Sequence, residues 1–174
     1  MPIKSLVRRL PSPIKSAVKK RIYPDLLARG TSMPQWSLQA VDGSLKTAEK
    51  KRWSLLCFYP GDDTPGCTAQ LQDLQMHYSL LQEAKVDVLG INPASAESHK
   101  DFAEQYGFEF PLLTDTDGAV AHLFGSLLKT PIKQVVIRTV YVIDPKGSIH
   151  LAQRGAPPAQ EILESIQFSQ DDPS

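Results

Sequence analysis

The feature that most restricts the fold of this chain is an apolar run at residues 52–59. After Arg52, every residue of the run except Ser54 is apolar or aromatic, and Pro60-Gly61 ends it. An apolar run that lacks polar alternation and stops at turn residues predicts a β-strand buried on both faces. Such a strand must lie inside a sheet that other elements cover on each side.

Strands and helices alternate along the rest of the chain. A short hairpin is predicted around Asp42-Gly43, and a final hairpin around the turn at residues 144–147. Apolar periodicity and capping residues predict buried strands at 86–91, 110–113 and 135–143, a returning strand at 149–152, and helices at 64–81, 95–107, 118–125 and 158–168. This order indicates an α/β domain with a central mixed sheet flanked by helices.

The composition is that of an ordinary globular domain. The chain has 174 residues, of which 41% are hydrophobic and 22% charged, and this excludes disordered, collagen-like and disulfide-scaffold classes. No apolar run approaches the roughly 20 residues of a membrane-spanning helix. Two cysteines, no N-glycosylation sequon and no secretory signal favour a reducing, cytoplasmic compartment. No dinucleotide-binding or P-loop motif is present, so no cofactor is predicted.

The first 30 residues differ in charge from the rest of the chain. They carry eight Lys or Arg and one Asp, whereas residues 31–174 carry 11 Lys or Arg and 18 acidic residues. We therefore expect a basic amphipathic extension at 1–30, one domain at 31–168 and a flexible tail at 169–174. The extension is interpreted as a solvated or docked segment. An organelle-targeting peptide and a helix that binds a membrane surface are the alternatives.

Cys67 has the sequence context of a nucleophile. It follows Thr64-Pro65-Gly66, where the apolar strand has ended and a helix is expected to begin, because proline suits a first helical turn. The free N–H groups and the dipole at a helix N-terminus favour a thiolate over a thiol. Thr64 lies three residues earlier, where its hydroxyl can face the sulfur.

A thiolate that attacks a peroxide needs a cation beside the developing charge, and Arg138 is the candidate. It is a lone charge ahead of the apolar residues 140–143. Because an unpaired charge in a buried strand is costly, two interpretations stay open. Arg138 is either buried with a partner near the site or exposed at the surface on an edge strand.

The residues around Cys67 resemble a known family signature. Pro60-x-x-x-Thr64-x-x-Cys67 matches the P-x-x-x-T-x-x-C pattern of the peroxiredoxins, and residues 59–68 look like the bacterioferritin-comigratory or Q-type subfamily. The resemblance covers residues 31–168. It implies a thioredoxin-like fold and an antioxidant thiol peroxidase, active in cell redox homeostasis, that reduces hydrogen peroxide and organic hydroperoxides. It also implies that Cys67 is the peroxidatic cysteine, that Thr64 and Arg138 activate it and the peroxide, and that Pro60 shields it from solvent.

The chain departs from that subfamily at the recycling step. Many Q-type members carry a resolving cysteine five residues after the peroxidatic one, where this chain has Gln72. The other thiol, Cys57, lies in the apolar strand, which favours a packing role over a resolving role. We expect a one-cysteine mechanism, recycled by an external thiol such as thioredoxin or glutaredoxin with glutathione, in a monomer or homodimer. The alternatives are a redox sensor or interaction protein switched by oxidation of Cys67, and a structural module with an inert cysteine.

The remaining polar residues have ordinary interpretations. None of the histidines has metal-site spacing from a cysteine, so no metal is predicted. Surface or helix positions are expected for His77, His99, His122 and His150. Asp62 and Asp63 are expected to be solvated loop carboxylates near a helix N-terminus. The acidic domain and the lack of basic residues around the tryptophans argue against nucleic-acid binding.

Overall fold

The computed structural model describes residues 23–49 and 51–171, so residues 1–22 of the expected extension and 172–174 of the expected tail lie outside the described residues. The strands are β1 (Leu38–Ala40), β2 (Leu45–Lys46), β3 (Trp53–Phe58), β4 (Val86–Asn92), β5 (Leu112–Thr114), β6 (Leu127–Lys129), β7 (Gln134–Val136), β8 (Thr139–Ile143) and β9 (Ile149–Arg154). The helices are α1 (Pro65–Met76), α2 (Tyr78–Glu83), α3 (Ala96–Tyr106), α4 (Ala119–Leu123) and α5 (Ala159–Asp171). Within these ranges no helix has the length and apolar character needed to cross a bilayer.

Seven strands form one mixed sheet in the order β2-β1-β5-β4-β3-β8-β9. The apolar run forms β3, which pairs in parallel with β4 and antiparallel with β8. All six residues of β3 are buried, so the predicted strand with two buried faces is confirmed. The hairpin of β8 and β9 supplies the expected antiparallel edge.

The two faces of the sheet have separate cores. On one face Leu55 and Cys57 pack with the apolar sides of α1, α2, α3 and α5. On the other face Leu56 and Phe58 pack with α4 and with the two-stranded ribbon of β6 and β7. Because successive residues of β3 point to opposite faces, one short strand contributes to both cores.

Two predicted elements are divided in the structure. The prediction of a single strand at 135–143 was wrong. In the structure β7 pairs with β6 in the separate ribbon, and β8 begins after Ile137 and Arg138 and pairs within the main sheet. The backbone N–H of Ile137 bonds to the Ser126 carbonyl at 2.7 Å, which turns the chain between the two sheets. The long helix expected from residue 64 ends at Met76, because His77 leaves helical geometry (φ −101°, ψ 7°) before α2.

Residues 23–30, at the end of the expected extension, contact the domain. The Leu27 N–H donates to the Tyr141 hydroxyl at 3.0 Å, and the Gly30 N–H donates to the Ile149 carbonyl at 2.7 Å. Arg154 donates to the Pro24 carbonyl. These bonds place the start of the described chain against β8 and β9, beside the end of the sheet where Cys67 lies.

Candidate active site

Cys67 lies in the first turn of α1. The loop at residues 59–64 connects β3 to this helix. Its side chain is buried, with no exposed surface. Pro65 begins the helix, and Thr64 is the N-cap residue in extended geometry. The Thr64 carbonyl accepts from the N–H groups of Cys67 at 3.0 Å and Thr68 at 2.8 Å. The expected start of the helix at 64–66, with Cys67 in the first turn, is therefore confirmed.

Arg138 contacts Cys67 directly, although the two residues are 71 positions apart in the chain. Its Nη2 donates to the Cys67 Sγ at 3.1 Å. Because a guanidinium carries only donors, the sulfur is the acceptor, and a cationic donor favours a thiolate over a thiol in this position. None of the ion pairs found among the described residues gives Arg138 a carboxylate partner. Arg138 precedes β8, which pairs with β3 on one side and β9 on the other and so is not an edge strand.

Thr64 and Pro60 lie in the same loop and are exposed. The Thr64 hydroxyl donates to the Gly61 carbonyl at 3.5 Å, at the long limit of a hydrogen bond. Its side chain does not cap α1. Pro60 directly follows the end of the apolar run. Of the four predicted site residues, the structure therefore brings Arg138 into contact with Cys67 and places Thr64 and Pro60 in the loop that leads to it.

Cys57 is the second thiol of the chain. It is fully buried in β3, opposite Gly90 of β4 and Val140 of β8. Burial raises the pKa of Cys57 to about 12, and the nearby Cys67 adds to the shift. A thiol in this environment stays protonated at neutral pH and behaves as a small apolar side chain.

Asp62 and His99 form a buried pair that the sequence interpretation missed. Their side chains are 6% and 0% exposed, and the His99 Nδ1 lies 2.9 Å from the Asp62 Oδ2. The expectation of a solvated Asp62 was wrong, because α3 packs over the loop at residues 59–64 and removes its side chain from water. His99 lies in a helix, which is one of its two expected positions, but it is buried there. The spacing of His99 and Phe102 on one helical face was the available signal, since residues three apart share a face.

Gln70 also belongs to this region. It lies three residues after Cys67 on α1, on the same side of the helix. The side chain is 6% exposed, and both amide atoms lack a hydrogen-bond partner among the described residues. The same holds for the buried Nε of Arg138. Buried polar atoms are nearly always bonded, so these unpaired groups can bind a polar ligand.

The described residues contain no group of three or more His, Cys, Asp or Glu side chains that could hold a metal ion. At Cys67 the structure brings together the sulfur, the Arg138 guanidinium and the polar atoms around them. This arrangement can stabilise a thiolate and the negative charge that develops when the thiolate attacks.

Comparison with known proteins identifies the family of this site. The sequence profile of the AhpC/TSA family matches residues 29–152. A chloroplastic peroxiredoxin Q of Triticum aestivum is 31% identical over 171 residues, which cover 92% of this chain and 75% of that protein. A putative peroxiredoxin bcp of Coxiella burnetii is 32% identical over 126 residues, which cover 69% of this chain and 83% of the relative.

A solved structure shows the same fold. The crystal structure of a cysteine mutant of Xylella fastidiosa PrxQ matches with a TM-score of 0.77 at 24% identity, over 84% of this chain and 99% of that one. At 24% identity this match supports the fold alone, and the fold is thioredoxin-like, as the resemblance to the peroxiredoxins implied. The chain therefore belongs to the AhpC/TSA family and, within it, to the peroxiredoxin Q/Bcp group of thiol-dependent peroxidases.

Proposed function

We propose that Cys67 is the peroxidatic residue of this peroxidase. The observation that carries the proposal is the 3.1 Å contact between the Arg138 Nη2 and the Cys67 Sγ. In the reaction, the thiolate attacks one peroxide oxygen and the O–O bond breaks. The sulfur is oxidised to a sulfenic acid, and the other oxygen leaves, after taking up a proton, as water or an alcohol.

The neighbouring residues have distinct roles in this step. Arg138 stabilises the thiolate and the charge that develops on the peroxide oxygens. Thr64 presents a hydroxyl at the entrance to α1, and Pro60 limits the access of water to the sulfur. These two roles come from the family resemblance, and the position of both residues in the loop before Cys67 is compatible with them.

The sulfenic acid is recycled by an external thiol. One thiol forms a mixed disulfide with Cys67 and releases water, and a second thiol then restores the Cys67 thiol and leaves as a disulfide. The burial and the raised pKa of Cys57 support this one-cysteine route, because a thiol that stays protonated is a poor nucleophile toward the sulfenic acid. Thioredoxin and glutaredoxin with glutathione are the proposed reductants.

The substrates include organic hydroperoxides as well as hydrogen peroxide. An open cavity of about 520 Å³ lies beside Arg138, between it and residues 23–26. Pro24, Leu26 and Ile137 contribute apolar side chains to its wall. An alkyl group attached to the peroxide can occupy this space.

The part of the expected extension that precedes Tyr23 is proposed to act outside the chemical step, and residues 31–168 are proposed to form the peroxidase domain. Residues 23–30 contact this domain, and α5 continues to Asp171, into the tail expected at 169–174. A cytoplasmic protein, as a monomer or homodimer, is proposed. Import into an organelle through residues 1–30 is the alternative. Fractionation of cells that express the full chain, or a chain starting at Thr31, distinguishes the two compartments.

The test of this function is peroxide consumption with three reductants in parallel: thioredoxin with its reductase, glutaredoxin with glutathione, and dithiothreitol. Repeated turnover is expected for the wild type and for Cys57→Ser, and none for Cys67→Ser. Peptide mapping after one equivalent of peroxide is expected to show sulfenic or sulfinic acid at Cys67. A Cys57–Cys67 disulfide in high yield from the folded monomer contradicts the one-cysteine route, and turnover by Cys67→Ser contradicts the assignment of the nucleophile.

A further inference from the structure

The carboxylate of Asp62 is saturated with hydrogen bonds. Its Oδ1 accepts from the Tyr59 hydroxyl at 2.9 Å and the Asn92 amide at 2.7 Å. Its Oδ2 accepts from the Ser98 hydroxyl at 2.7 Å and lies 2.9 Å from the His99 Nδ1. A carboxylate offers about four acceptor positions, and all four are used here.

The four donors come from three elements that meet at the C-terminal ends of the central strands β3 and β4. Tyr59 directly follows β3, Asn92 ends β4, and Ser98 and His99 lie in the first turn of α3. Because a carboxylate only accepts, the Nδ1 of His99 carries the hydrogen. The buried Nε2 has no partner among the described residues.

These bonds also keep the carboxylate ionised. Burial alone would raise the pKa of Asp62, but the hydrogen bonds from His99, Ser98 and Tyr59 outweigh burial and hold it below its usual value. None of the ion pairs found in the described part of the chain gives Asp62 a lysine or arginine. The charge is thus held by hydrogen-bond donors from the surrounding elements.

Only two residues separate Asp62 from the helix that carries Cys67. Asp63 has a positive φ of 49°, a conformation that few non-glycine residues adopt, so the turn here is sharply bent. Thr64 follows, and its carbonyl accepts the N–H of Cys67. A displacement of Asp62 is therefore passed through a short, bent link to the first turn of α1.

We propose that Asp62 is a positioning residue of the peroxidase, whose fourfold-bonded carboxylate holds the loop at residues 59–64 so that Cys67 meets Arg138. The proposal rests on the proposed role of Cys67. It assigns a function to the Asp62–His99 pair, which does not itself touch the reacting sulfur. His99 and Ser98 act through Asp62 by fixing the direction of its carboxylate.

The test compares Asp62→Asn with Asp63→Asn. An amide at position 62 turns an N–H toward at least one of the four donors, so the loop shifts. Oxidation of Cys67 by hydrogen peroxide is therefore expected to slow at least about tenfold. Asp63 is exposed, and within the described part of the chain it bonds only the Tyr106 hydroxyl. Because asparagine tolerates a positive φ, Asp63→Asn is expected to stay within about twofold of wild type. The rate constant is measured by competition with horseradish peroxidase, on protein shown to be folded by thermal unfolding.

The direction of the effect separates positioning from electrostatics. Removal of a negative charge near a thiolate favours the thiolate, so charge alone predicts faster oxidation by Asp62→Asn. A slower rate therefore supports positioning. A folded Asp62→Asn protein with a rate equal to or above that of the wild type overturns the proposal. If Asp62→Asn does not fold, Ser98→Ala replaces it in the test, because this change removes one donor and keeps the charge. A slower oxidation of Cys67 in Ser98→Ala supports the proposal, and an unchanged rate overturns it.

A double-mutant cycle tests the route through Arg138. In an Arg138→Ala background, Asp62→Asn is expected to slow oxidation by less than about threefold, because the contact that Asp62 positions is already absent. An equal loss in both backgrounds overturns the route. Failure of the proposed function is distinguishable, because wild-type Cys67 would then remain unoxidised by peroxide.

Discussion

Gly66 directly precedes Cys67, and the Arg138 guanidinium leaves little room for a side chain at this position. An added Cβ would lie 3.0 Å from Nη2 and 3.4 Å from Nη1 of Arg138. Gly66→Ala is therefore expected to push the guanidinium away from the sulfur by a few tenths of an ångström and to slow peroxide attack by about threefold to tenfold. Stopped-flow oxidation measures the rate. Because the displaced atoms end a flexible side chain, the unfolding temperature should change little, and an unchanged rate would contradict this packing argument.

Cys57 is expected to be chemically silent in the folded protein. Its pKa of about 12 means that iodoacetamide should not modify it at pH 8 in the Cys67→Ser variant, whereas urea should expose it to rapid alkylation. In the unfolded chain the thiol ionises near its ordinary value of 9.0. Stability linked to Cys57 is therefore lost as the pH rises from about 9 toward 12. Urea titrations of Cys57→Ala should show a shallower alkaline loss, and an equal loss would contradict the shifted pKa.

At the scale of elements, helix α4 depends on a carboxylate that lies before it. Its N-cap residue, Gly118, has no side chain, and Asp115 bonds the N–H groups of Val120 at 3.1 Å and Ala121 at 2.8 Å. Asp115 is 1% exposed, so Asp115→Ala leaves two buried donors unpaired and should lower the free energy of unfolding by about 2–4 kcal/mol. Asp117→Ala is the control: it is exposed, accepts one bond from Ala119, and should lose about 1 kcal/mol or less. Equal losses in urea unfolding would contradict this assignment.

At the scale of the whole molecule, the domain includes residues 23–30, although the charge distribution along the sequence assigns them to the basic extension at 1–30. Leu26 and Leu27 pack against the core on the α4 side of the sheet, and Arg154 holds the Pro24 carbonyl. Gly125 allows this, because a side chain there would collide with the Asp25 backbone.

Two truncations test this boundary. A chain that begins at Tyr23 should unfold within about 2 °C of the full chain. A chain that begins at Thr31 loses apolar contacts and at least three hydrogen bonds, and should lose about 2–4 kcal/mol, which corresponds to roughly 5–15 °C. Differential scanning calorimetry measures both. Equal unfolding temperatures would show that residues 23–30 contribute nothing to stability.

Much of the architecture follows from the sequence because it depends on short-range patterns. The unbroken apolar run predicts β3, Ser95 and Gly107 predict the ends of α3, and Thr64-Pro65-Gly66 predicts the start of α1. The structure agrees: Ser95 caps the Ser98 N–H, and Gly107 has the left-handed φ of 69°. Residue spacing and turn chemistry act within a few positions of the chain, so a single sequence is sufficient for these elements.

The tertiary structure alone decided which distant side chains meet. Arg138 reaches Cys67 because β8 pairs with β3, and Asp62 meets His99 because α3 covers the loop after β3. The run at 135–143 has the pattern of one strand, and only the separate pairing of β6 with β7 divides it. Contacts between residues 37 and 71 positions apart depend on the order of strands in the sheet. Local periodicity carries no information about that order. The sequence therefore predicts most of the elements and the candidate nucleophile Cys67, while packing determines the partners that Cys67 and its loop acquire.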